Sequence, residues 1–94
     1  MEVPKMKNYF ERISFIKSVL DSLQIPCAMN ELCGGYQLRF PWCEGDVSAH
    51  KSTYGNRNGM VESYCFPWDD GDISILTPEE VAIKIIALYN EEMI

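Results

Sequence analysis

Residues able to do chemistry gather in two nine-residue segments that are almost copies of one another. Phe40-Pro41-Trp42-Cys43-Glu44-Gly45-Asp46-Val47-Ser48 is answered by Phe66-Pro67-Trp68-Asp69-Asp70-Gly71-Asp72-Ile73-Ser74, with six positions identical. Together they supply both tryptophans of the chain and the five carboxylates of Glu44, Asp46, Asp69, Asp70 and Asp72. Aromatic anchors rimmed by carboxylates suit an Arg- and Lys-rich protein surface. The plainer reading is local. Large indoles close the ends of a small core, and aspartates form turns by bonding their own backbone. Clustered oxygens also raise calcium or magnesium. Asp69-Asp70-Gly71-Asp72 lacks the D-x-[DN]-x-[DN]-G spacing and its distant glutamate, so no metal is expected.

Catalysis needs a nucleophile, a base and a group that orients them. The single histidine, His50, has Ser48 and Ser52 as i±2 neighbours along a strand, which is not triad geometry. Gly34-Gly35 and Gly55 make no phosphate loop. The chain reads as a non-enzyme with no cofactor. Its four cysteines, 27, 33, 43 and 65, include no C-x-x-C pair. They are expected as free thiols that hold no zinc.

Each duplicated segment needs elements on either side. Its aromatic ends a strand, proline stops the ladder, acid and glycine turn the chain, and a β-branched residue opens the next strand. Strands are expected near 36–40, 46–53, 60–66 and 72–76, with a first one at Cys27–Cys33 and Gly34-Gly35 as a hairpin turn. On the 46–53 strand, Val47, Ala49 and Lys51 share one face. Tyr54 to Gly59 is a loop by composition.

Two helices flank the strands. Asn8 caps the first with Glu11 in the capping-box position. Phe10, Ile13, Ile16, Leu20 and Leu23 make its apolar stripe, with Arg12 among the residues on the other side. It runs about 9–24, before Pro26. Thr77-Pro78-Glu79-Glu80 starts the second, about 78–92, with Val81, Ile85, Leu88 and Tyr89 inward and Ala82, Ile86 and Met93 widening that face. Met1 to Lys7 reads as a frayed lead. Ninety-four residues with short connections predict one α+β domain. The expected form is a two-layer sandwich, an antiparallel four- or five-stranded meander under an N-terminal and a C-terminal helix. A meander places alternate turns at the same end of the sheet. One pole is then acidic and aromatic, and the other, near Lys51 and Arg57, mildly basic.

The net charge of −6 is uneven. Residues 1–58 carry +1, whereas residues 59–94 hold eight acids against Lys84 alone. This skew argues against direct nucleic-acid binding and favours a basic partner. No apolar run is long enough to span a membrane, and no signal peptide is read, so the expected location is cytoplasmic.

In size, charge skew and helix–sheet–helix layout, the chain resembles the small acidic anti-CRISPR-type proteins that phages encode against bacterial defence. The resemblance implies a stoichiometric inhibitor in the host cytoplasm that occupies a basic, nucleic-acid-binding surface of a host protein, its carboxylates standing in for phosphates. Two other readings stand beside it. One is a small-ligand or nucleotide-binding module that stacks its ligand on Tyr36, Tyr54, Tyr64, Trp42 or Trp68. The other is a structural protein that dimerises through an exposed sheet face or edge.

Overall fold

The structure is a computed structural model and describes residues 8–53 and 58–92. The leader, Tyr54, Arg57 and Met93 lie outside the described residues. Helix α1 (Tyr9–Ser22) leads into strands β1 (Ala28–Leu32), β2 (Gly35–Arg39), β3 (Asp46–Ala49), β4 (Val61–Tyr64) and β5 (Ile73–Leu76), followed by helix α2 (Pro78–Glu92). The strands form one antiparallel sheet in chain order, with both helices on one face. This is the expected α+β meander.

Local chemistry explains the helix starts. Asn8 Oδ1 accepts from the Glu11 amide at 2.6 Å. At α2, Thr77 Oγ1 accepts from the Glu80 amide and the Glu80 carboxylate accepts from the Thr77 amide, a complete capping box worth roughly 1 kcal/mol. Helix α1 ends at Ser22, two residues sooner than its periodicity suggests. Gln24, at φ 59°, turns the chain left-handed, and the Ile25 amide reaches back to the Leu20 carbonyl. This is a Schellman stop built without glycine.

The core joins Ile13, Ile16 and Leu20 of α1, Val81 and Ile85 of α2, and Leu38, Val47, Ala49 and Val61 of the sheet, all fully buried. The stripe of α1 is rotated from the one expected. Arg12 is buried, donating to the Met60 carbonyl at 3.1 Å with its guanidinium over the Tyr9 ring, whereas Phe10 and Leu23 are about half exposed. A long side chain can cover apolar surface while its polar head finds a partner.

Two sheet expectations shift. The hairpin turn is Cys33-Gly34, both at positive φ, not Gly34-Gly35. Gly35 pairs with Leu32 inside the strand, where a Cβ would collide with the Ala49 carbonyl. Strand β3 stops at Ala49, well before Thr53, and Lys51 lies in the turn that follows. Thr53 closes that turn, its hydroxyl donating to the His50 carbonyl at 2.7 Å.

Candidate functional site

The register places both duplicated turns at one end of the sheet. Arg39, Asp46, Tyr64 and Ile73 stand in a row across β2 to β5, and the turns leave from that row. Phe40 and Phe66 meet edge to face at 5.7 Å between centroids. The copies fold differently nonetheless. Leu38 and Phe40 alternate directly onto the core. On β4, Val61 and Ser63 face the core, which leaves Phe66 in the wrong phase. Cys65, at φ 65°, resets it and brings Phe66 inward. Strand β4 therefore ends at Tyr64 rather than at the aromatic, and a single 3-10 turn follows at Pro67–Asp69.

Asp69 departs most from expectation. It is not a solvated turn acid but is 4% exposed. Its carboxylate accepts from the Ser63 hydroxyl at 2.7 Å and from the Phe66 amide at 3.0 Å. Ser63 in turn accepts from the Trp68 indole at 3.1 Å. Trp68 stacks on Phe66 at 4.4 Å, and Lys84 Nζ sits 5.6 Å from its ring centroid. The first copy has Cys43 where the second has Asp69 and builds no such clamp. Trp42 donates instead to the Pro26 carbonyl at 2.9 Å and packs edge-on against Phe40 and Tyr89. Both indole N–H groups are thus satisfied internally, and both rings brace the end of the core.

The remaining acids divide by exposure. Asp46 is half-buried beside Arg39, and burial pushes its carboxyl above the ordinary value. Arg39 and a hydrogen bond from Gln37 oppose that rise, and Glu62 and Asp69 add to it. Glu44, Asp70 and Asp72 are exposed, and Asp72 Oδ1 accepts from the Ile73 amide at 2.8 Å. Among the described residues, no three of His, Cys, Asp and Glu form a metal-binding group. His50 Nδ1 accepts from the Ser52 amide at 3.2 Å.

Helix direction adds charge that sequence patterning missed. Arg12 reaches Met60, and α2 begins beside Leu76, which pairs with Val61, so both helices start at the opposite end of the sheet. Both C-termini therefore point to the duplicated turns. Glu91 and Glu92 end α2 with no base in its last turn, and Glu92 lies close enough to the Cys43 thiol to add to the rise that burial imposes there. Acids at a helix C-terminus reinforce its negative dipole, whereas Glu11, Glu79 and Glu80 at the N-termini offset the positive ends. Lys51 lies in the turn after β3 at that opposite end, and Arg57, the other residue of the mildly basic pole expected there, falls outside the described residues.

Comparison of the chain with protein-family models, curated proteins and solved structures finds no match. No helix among the described residues is long and apolar enough to cross a membrane.

Proposed function

We propose that this chain is a small acidic protein-binding module, a stoichiometric inhibitor that covers a basic, nucleic-acid-binding surface of a bacterial CRISPR-type defence protein. One observation carries the reading. Glu44, Asp70 and Asp72 stand exposed on turns that are fixed from beneath by the Asp69–Ser63–Trp68 clamp and the Phe40–Phe66 contact. Carboxylates held on a rigid base lose little conformational entropy when they meet Arg and Lys, so their attraction is retained as affinity. The helix C-termini and Glu91–Glu92 extend the same negative field.

The small-ligand reading has less to stand on, since Trp68 is stacked on Phe66 and Tyr36 packs against Phe10. The test is capture from a bacterial lysate followed by competition. The captured protein should lose its labelled guide or target strand at one equivalent of this chain, with weaker competition as salt rises. Capture of a protein that keeps its nucleic acid bound would refute the inhibitor reading.

A further inference from the structure

One face of the sheet lies under the helices and the other does not. Val61 and Ser63 are fully buried on the helix side, so alternation turns Glu62 and Tyr64 to the outer face. There the register sets Asp46, Tyr64 and Ile73 side by side across β3, β4 and β5, with Ser48, Glu62 and Ile75 in the next row. Tyr64 is 46% exposed and Ile75 42%, and with half-buried Ile73 they form an apolar patch. Carboxylates surround it. Glu62 lies close enough to Asp46 to add to the rise in that carboxyl. Asp72 adjoins Ile73, whose amide donates to its Oδ1 at 2.8 Å. Arg39 stands on the far side of Asp46 from Tyr64 and offsets part of this charge. The Tyr64 ring is open as well. Arg12 lies 5.2 Å from the Tyr9 centroid and Lys84 5.6 Å from that of Trp68, whereas among the described residues no cation lies over Tyr64.

We infer that this patch is an arginine-binding site: an arginine of a partner protein lays its guanidinium on the Tyr64 ring and its stem along Ile73 and Ile75, and its N–H groups donate to the carboxylates of Asp46 and Glu62. Which protein carries the arginine rests on the inhibitor reading above; the recognition of arginine rests on this face alone. Three features select the occupant. The carboxylates favour a cation, and a cation between Asp46 and Glu62 relieves their mutual repulsion. The isoleucines favour a cation on a hydrocarbon stem over a bare ion. The ring favours a flat, weakly hydrated cation, which is guanidinium rather than ammonium. Directly paired residues stand about 5 Å apart at Cβ, so a guanidinium over Tyr64 is within reach of the neighbouring acids. A second copy would bring a net charge of −6 to an acidic face, so a basic partner is favoured over self-association.

The experiment is an NMR titration of the isotope-labelled full chain at low salt with acetyl-Gly-Arg-Gly-amide and, separately, with acetyl-Gly-Lys-Gly-amide. One arginine on an exposed face is expected to bind at about 1–10 mM. The Tyr64 ring signals and the Ile73 and Ile75 methyl signals should move together and saturate, and the lysine peptide should bind about threefold more weakly. Tyr64→Leu keeps the apolar surface and removes the ring, so it should weaken the arginine peptide and leave the two peptides equal. Asp46→Asn with Glu62→Gln should weaken both peptides by about threefold or more. Glu44→Gln with Asp70→Asn, on the turns, should change either by less than about twofold. If Tyr64→Leu unfolds, the wild-type shifts and the carboxylate variant carry the test. No saturable shift at Tyr64, equal binding of the two peptides to the wild type, an arginine preference that survives Tyr64→Leu, or indifference to the carboxylate variant overturns the proposal. Failure of the inhibitor reading shows separately, as a captured protein that keeps its nucleic acid.

Discussion

The ring of Phe66 lies against Gly45 so closely that a Cβ on the glycine would sit 2.5 Å from the ring. The matching glycine of the other copy, Gly71, has open space around its Cα but sits at φ 82°. One glycine is needed for room and its twin for backbone conformation.

Two substitutions separate these roles. Gly45→Ala should destabilise the fold by about 1–3 kcal/mol through overpacking, and Phe66→Leu in the same chain should restore part of the loss. Gly71→Ala should cost about 1 kcal/mol through left-handed strain, and Gly71→Asn less. Urea denaturation of these four variants, and of a fifth that combines Gly71→Ala with Phe66→Leu, checks this. Rescue of Gly71→Ala by Phe66→Leu would contradict the assignment.

Asp69 holds the second turn from inside. Asp69→Ala should destabilise by about 2–4 kcal/mol, because it leaves the buried Ser63 hydroxyl and Phe66 amide without their acceptor. Trp68 should report it, with near-ultraviolet dichroism and indole fluorescence changing before global unfolding. Asp70→Asn, at an exposed position whose left-handed backbone asparagine tolerates, should leave both signals unchanged. Equal effects of the two substitutions would show that the clamp is unimportant.

The exposed acids test the pole without touching the clamp. Glu44→Gln, Asp70→Asn and Asp72→Asn together remove three charges while preserving shape, and asparagine tolerates the left-handed backbone of Asp70, at φ 51°. Stability should change by less than about 1 kcal/mol. Affinity for the captured basic partner should fall at least tenfold at low salt, and less at high salt. Unchanged affinity in a folded triple variant would leave the pole a solvated surface.

Asp46 predicts a pH dependence. Burial raises its carboxyl above the ordinary value, so the fold disfavours its charged form. The stabilisation is complete below the unfolded carboxylate pKa and is lost as pH rises through the higher folded one. Asp46→Asn should match the wild type near pH 3, which is about the foot of carboxylate titration. It should become the more stable chain as pH approaches neutrality. Thermal unfolding at intervals between these limits checks the sign, and a wild-type advantage that grows with pH would reverse it.

The sequence by itself determined the elements and their order. Thr77, Pro78 and Glu80 start α2 because a capping box closes within one turn and needs nothing distant. Short connections make the strands a meander, and that alone brings Trp42 and Trp68 to one end. Tertiary structure decided which acids that end exposes. Asp69 and Asp70 are neighbours of one type, yet one is buried and the other open. The left-handed turn at Cys65 rephases the chain and brings Asp69 over Ser63. Periodicity cannot register a one-residue change of phase, and a serine in a strand does not announce a buried partner. Nor does an amphipathic pattern state helix direction, so Glu91 and Glu92 joined the pole only when α2 crossed back over the sheet towards Trp42.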